Sequence, residues 1–398
     1  MKQWLLFWTV VLGCLSIYSC DSMLPGARPE DQVLDGPVNG LSPENQKRFL
    51  LGDAAFNNDV FTASKGLGPI FVSTSCGSCH AGDGKGTPFS TLTRFGQKDQ
   101  TGNKYLHLGG PQLQNRAIPG YLPEKIPSGA TFSKFTPPAN TGLGFLELVS
   151  DQEILSMADP LDSNGDGVSG VPSYGTLPAF ITAATNAVEK DGKYIHRFGK
   201  KAAAYNLLHQ TVNAYSQDIG ISSVFSPKDI YHGQDIDPEI SSQTIYDVVF
   251  YLQTLKAPTP RNTGNAQVQQ GKQTFIDIGC EGCHRQTLKT GNSPIASLSN
   301  QTFHPYTDLL LHDVGPELDD GYTEGSATSA EWRTPPLWGL GLSPRSQGGK
   351  YFLMHDGRAT SVRAAILMHG GEGQRSRDRF ENLTSSDQNK LIQFLESL

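Results

Sequence analysis

The chain has 398 residues, 32 Lys and Arg against 39 Asp and Glu, a formal net charge of -7, and no apolar run long enough to span a bilayer. Those figures exclude a polytopic membrane protein and argue against a nucleic-acid binder, which needs a basic face. At roughly 100–200 residues per domain the length fits two to three compact units. With 43 Gly and 25 Pro they are loop-rich without reaching low complexity.

The first element is a targeting segment. Met1-Lys2, an apolar stretch from Trp4 to Leu15 and then Ile17-Tyr18-Ser19-Cys20 resemble the signal sequence of a bacterial lipoprotein. Residues 1–20 therefore read as a signal with a lipobox, Cys20 as the lipid-bearing first residue of the mature chain, and 21–41 as a tether. Bulky Tyr18 leaves plain secretion with ordinary cleavage as an alternative, and a buried N-terminal helix is the bland one. The location expected is the bacterial cell envelope, periplasmic or anchored to a membrane by lipid alone, with no nucleic-acid partner.

Beyond Cys20 four cysteines remain, in two close pairs. Cys76-Gly77-Ser78-Cys79-His80 and Cys280-Glu281-Gly282-Cys283-His284 are both C-x-x-C-H, the attachment signature of c-type haem. Cysteines at i and i+3 share one face of a helical turn, where their sulfurs can reach the two vinyl groups of one porphyrin, and the following His is aimed at the iron. With 6 Cys and 10 His in the chain, one chance match is expected about 0.002 times. Each motif thus specifies a covalently held haem c, with His80 and His284 as proximal iron ligands. A thioredoxin-like pair or a zinc site is the competing reading, and neither needs a His after the second Cys twice.

Each motif has a helix before it and one that closes its unit. Ser42 to Gly52 reads as a capped helix, as does Gln267 to Phe275. Ser242 to Leu255 and Ser385 to Leu398 carry apolar stripes that include Val248, Leu252 and Leu255, and Leu391, Phe394 and Leu395. Lys256 to Asn262, with two prolines, marks a linker. The expectation is a mainly α protein of two tandem cytochrome c-like domains, 42–256 with a loop-rich insertion and 263–398. Within the insertion, Asp191 to Ile221 has helical character, with Tyr205, Leu208 and Val212 in phase.

Phe303 to Asp313, Glu331 to Gly341 and His355-Asp356-Gly357-Arg358-Ala359 resemble the bacterial di-haem oxidoreductases labelled peroxidases or thiol oxidoreductases, distant relatives of di-haem cytochrome c peroxidase. Arg197-Phe198-Gly199-Lys200-Lys201-Ala202 matches as well, with Lys200 where a Trp usually stands. The resemblance implies two haems of unequal role, one handling oxidant and one relaying electrons. It places the sixth ligand of the second haem on His369, with Met368 as alternative, and gives His355 a hydrogen-bonding role. It makes Gly109 to Glu124 similar to the segment after the first motif, with Glu124 as catalytic acid/base and Gln112 or Gln114 as its hydrogen-bond partner. His107 could instead cap the first iron.

The activity expected is peroxidase-like, with peroxide or another small oxidant and a small redox donor, a cytochrome c or cupredoxin, as partners. A non-catalytic electron-transfer cytochrome with both haems six-coordinate is the alternative, and an oxidase of a thiol, protein or organic substrate the third. Trp332 and Trp338 read as buried aromatics or as a path between the haems. Asp162-Ser163-Asn164-Gly165-Asp166-Gly167 begins like a calcium loop, but Ser173 stands where a bidentate Glu is expected, so an Asx/Gly turn competes with bound calcium.

Overall fold

A computed structural model describes residues 29–398; the signal-like segment and Cys20 lie outside the described residues. The chain divides into a unit ending at Val33, of which the described part holds one 3-10 turn, Glu30–Gln32, and a unit from Leu34 to Leu398. Among the described residues no helix is long and apolar enough to cross a membrane.

Two helix pairs frame the second unit. Helix α1 (Pro43–Asn57) starts where the Ser42 hydroxyl accepts the Asn45 amide at 3.2 Å and Pro43 fills the first turn. It crosses the helix Ser242–Thr254 at Gly52, where a Cβ would stand 2.1 Å from the Asp247 carbonyl, and Phe49 and Phe56 stack beside the crossing on Tyr251. The helices Ala266–Asp277 and Ser385–Ser397 repeat the construction. Asn265 and Thr384 cap them, a Cβ on Gly271 would stand 2.0 Å from the Lys390 carbonyl, and Phe275 packs on Phe394. In chain order the longer helices are α1, α2 (Asp151–Met157), α3 (Leu207–Asp218), α4 (Ser242–Thr254), α5 (Ala266–Asp277), α6 (Val362–Leu367), α7 (Gln374–Glu381) and α8 (Ser385–Ser397).

Helices outweigh strands among the described residues, yet small antiparallel sheets are more numerous than the sequence suggests, none with a strand above five residues. The longest pair is β1 (Leu92–Gly96) with β2 (Thr131–Phe135). A three-stranded sheet orders β3 (Ser173–Gly175), β5 (Lys193–His196) and β4 (Glu189–Lys190). Of the helix expected over 191–221 only Leu207–Asp218 forms. Asp191 and Gly192, with φ of 54° and 72°, make instead the two-residue turn of the β4–β5 hairpin, which an Asp-Gly pair suits. Near the C-terminal half, β6 (Leu311–Asp313) pairs with β7 (Glu331–Arg333) so that His312 faces Trp332.

The expected tether is not free along its last part: Val38 and Leu41 are buried, and the Val38 amide donates to Thr254 O at 2.8 Å. The two expected domains also share a core. One hydrophobic cluster gathers α1, α3 and α4 around Tyr251 but takes in Leu288, Phe303, Leu310 and Trp338 from the second half; another joins α5 to α8. Arg94 pairs with Glu324 at 2.8 Å and Ser133 bonds Asp320 at 2.6 Å, so polar contacts also tie the halves.

Candidate active site

Each C-x-x-C-H sequence closes one turn. The His80 amide donates to Cys76 O at 2.9 Å and the His284 amide to Cys280 O at 3.0 Å. The four thiols are unpaired. Burial pushes Cys76 and Cys280 up to about 12, and raises Cys79 and Cys283 too. Such cysteines are poor thiolate nucleophiles, unlike those of a thioredoxin-like pair. Both motifs open onto a single cavity of about 440 Å³.

Five imidazoles line that cavity, and their hydrogen bonds sort them. His80 Nδ1 donates to Pro138 O at 3.0 Å, His284 Nδ1 to Tyr306 O at 3.0 Å, and His369 Nδ1 to Ala365 O at 2.8 Å. A carbonyl on Nδ1 fixes the tautomer and leaves the Nε2 lone pair for a metal, the arrangement that iron-binding histidines use. Burial lowers all three, His80 and His284 to about 4, which keeps them neutral. His312 and His355 are differently engaged, the first by two carboxylates and the second by Asp320 at 2.6 Å while it stacks on Trp332 at 3.8 Å. His369 lies close enough to His284 to lower its pKa, so the second motif has two ligand-ready imidazoles. The first has His80.

The wall near the first motif is polar. Helix α3 lines the cavity broadly, and among its residues there are Gln210, Thr211, Tyr215 and Asp218. The Tyr215 hydroxyl and Thr211 Oγ1 are buried without a protein partner, which costs about 1–3 kcal/mol each unless something in the cavity bonds them. Asp218 takes a hydrogen bond from Gln112 Nε2, and Arg94 donates to Gln112 Oε1 at 3.2 Å. Enclosure pushes Asp218 up to about 6, against the hydrogen bond from Gln112 and the charge of Arg94. Lys85 and Lys200 also face the cavity. Burial drives Lys85 to about 8, and burial with repulsion from Lys85 and Arg333 drives Lys200 to about 7. Cations so placed suit the carboxylates of a bound macrocycle. Paired cysteines, free Nε2 atoms, unpartnered hydroxyls and these amines together fit haem at both motifs.

Not every expected residue reaches this cavity. Gln112 does, fully buried, but Gln114 and Glu124 do not line it. Glu124 Oε2 accepts the Gln114 amide at 2.8 Å and its carboxylate also takes a backbone hydrogen bond from Gly110, so it ties its own loop together. Burial nonetheless raises its pKa. His107 is exposed, bonds Lys104 O at 3.0 Å, and does not line the cavity. Met368 lies outside the lining while Met354, at φ 67°, belongs to it. Trp332 and Trp338 both line the cavity. In the calcium-like loop Asp162 accepts the Gly167 amide and Asp166 the Val168 amide. Among the described residues no three His, Cys, Asp or Glu are grouped to hold a metal ion. Sequence reasoning missed Asp218, which only the packing of α3 brings to the cavity wall.

The sequence profile of the family described as "Di-haem oxidoreductase, putative peroxidase" matches residues 134–398. The chain belongs to this di-haem oxidoreductase family. The match begins after the first motif, so the first centre stands on Cys76 to His80 and the geometry around them. No curated protein matches the chain. Among solved structures it is similar to a chain of the hydrazine synthase of Kuenenia stuttgartiensis, at 14% identity over 94% of this chain and 98% of that one, with a TM-score of 0.39. It is similar too to a MauG-like protein associated with microbial copper homeostasis, at 14% identity over 94% and 95%, with a TM-score of 0.40. Likenesses that distant add nothing about this chain's activity.

Proposed function

We propose that the chain is an exported, lipid-anchored c-type di-haem oxidoreductase that reduces peroxide, or another small oxidant, beside His80 with electrons relayed through the centre at His284 and His369. The observation that carries this reading is the asymmetry of one shared cavity: two ligand-ready imidazoles at the second motif, one at the first, and the unpartnered hydroxyls of Thr211 and Tyr215 beside the first. Two bound haems would supply a pair of one-electron centres, matched to the two electrons that cleaving a peroxide requires. Cys76 and Cys79, and Cys280 and Cys283, would hold them by thioether bonds, and Lys85 and Lys200 would neutralise their carboxylates.

The rest belongs to this chain's side chains. Asp218 replaces Glu124 as the acid/base group, because it faces the cavity and has a carboxyl that titrates near 6, where one group can both take and return a proton. Gln112 and Arg94 orient that carboxyl. The hydroxyls of Tyr215 and Thr211 offer hydrogen bonds to a small oxygen ligand. The electron donor is a small envelope protein, a cytochrome c or cupredoxin, that docks near the second motif.

Electron paramagnetic resonance of the ferric holoprotein tests this reading. It expects one high-spin and one low-spin haem, with cyanide or peroxide moving the high-spin signal alone. Two low-spin haems that ignore both reagents would make the chain an electron-transfer cytochrome instead.

A further inference from the structure

Next to the second motif lies a buried charged chain that the chemistry above does not use. His312 on β6 is 2% exposed, with Nε2 2.8 Å from Asp308 Oδ2 and Nδ1 2.6 Å from Glu372 Oε2. A neutral imidazole donates from one nitrogen only, so a ring between two carboxylates is an imidazolium. Each carboxylate also accepts backbone amides, Asp308 from Leu310 and Glu372 from Asp313 and Ser169, which favours its charged form. Burial pulls His312 down, but its bonds to Asp308 and Glu372 outweigh that and hold it well above the ordinary imidazole value. His312 Nδ1 is 3.5 Å from Cys283 Sγ, one of the two sulfurs of the second motif.

Glu372 stands three residues after His369, on the turn Gly371–Gly373. Its two oxygens fasten that turn to β6 through the Asp313 amide at 3.0 Å and to the preceding half of the chain through the Ser169 amide at 2.8 Å. The turn has no slack, for the Gly370 amide donates to Val314 O and a Cβ on Gly371 would sit 2.3 Å from Asp313 O. A buried ion network is weak evidence for stability, since desolvation offsets most of its attraction and apolar packing would hold the turn as well. What apolar packing lacks is a fixed charge at the Cys283 sulfur.

We infer that Glu372 and His312 are positioning residues of the second centre: Glu372 locks the turn that follows His369 and would hold that imidazole at the second centre, and the His312 cation at Cys283 would favour the reduced state of a group attached there. This rests on His369 as the sixth ligand, as read above. It makes the second centre a tightly six-coordinate electron store.

The test is a potentiometric titration of the holoprotein, with cyanide binding, for wild type and the His312→Gln, Asp308→Asn, Glu372→Gln and His369→Ala variants. The inference expects His312→Gln to lower the potential of the second haem and Asp308→Asn to raise it, with the first haem unmoved. It expects Glu372→Gln to admit cyanide at the second haem at least tenfold faster than wild type. Shifts of the same sign, no shifts, or cyanide binding as slow as wild type would overturn it while leaving His369 as ligand. A His369→Ala protein that keeps its low-spin signal would instead remove the ligand assignment itself. If Glu372→Gln gives no folded protein, the opposite signs of the other two variants still decide the matter.

Discussion

At the scale of single residues, the account turns on which carboxyl serves the first centre. Asp218 sits on the cavity wall with a carboxyl raised to about 6, while Glu124 spends its oxygens on its own loop. Asp218→Asn is expected to lower kcat/KM for peroxide about 100-fold with the haem spectrum unchanged, within the usual range for a general acid/base. Glu124→Gln is expected to stay within about twofold of wild type; equal losses in both would return the role to Glu124. Taking the first proton from peroxide requires the carboxylate, so wild-type kcat/KM is expected to rise with pH through about 6 and Asp218→Asn to lose that rise. The groups acting on this carboxyl are Gln112, Arg94 and, through Arg94, Glu324. Its folded pKa lies above the ordinary 3.8, so the fold prefers the neutral acid and Asp218 costs stability as pH climbs from about 4 to about 6. Thermal melts of Asp218→Asn are expected to show a smaller decline over that window.

At the scale of elements, the two glycine crossings are the sharpest dependence. Gly52 on α1 and Gly271 on α5 each let a partner carbonyl approach to where a Cβ would be about 2 Å away. Gly52→Ala and Gly271→Ala are each expected to cost about 1–3 kcal/mol in denaturant titrations, as overpacking does, and a neutral effect would show that the helices can part. How much of this was legible in sequence follows from what each element depends on. The four crossing helices could be read because their caps and apolar stripes are local. Asp191-Gly192 signals the β4–β5 hairpin locally, and the helical phase over 191–221 masks it. The sides of α3 could not be told apart: Tyr205, Leu208 and Val212 show a stripe, but only tertiary packing shows that Thr211, Tyr215 and Asp218 face the cavity. The motif residues were legible because the C-x-x-C-H signature has a fixed spacing, whereas Glu124 rests on likeness and its carboxylate bonds within its own loop.

At the scale of the whole molecule, the halves are knitted rather than strung. Phe303 and Trp338 from the second half enter the core built on α1, α3 and α4, and Arg94 meets Glu324 across the same divide. This packing gives both motifs one cavity, through which the proposed function would pass electrons from one centre to the other. Releasing one haem is therefore expected to disturb its neighbour: a Cys280→Ser, Cys283→Ser double variant should shift the spectrum of the remaining haem and lose peroxidase turnover, where an unaltered spectrum would mean independent modules. The measurement that reaches the central claim most directly is a pyridine haemochrome assay on purified, acid-acetone-extracted protein. Two haems per chain that resist extraction are predicted; fewer than two, or haem that leaves with the solvent, would contradict the account.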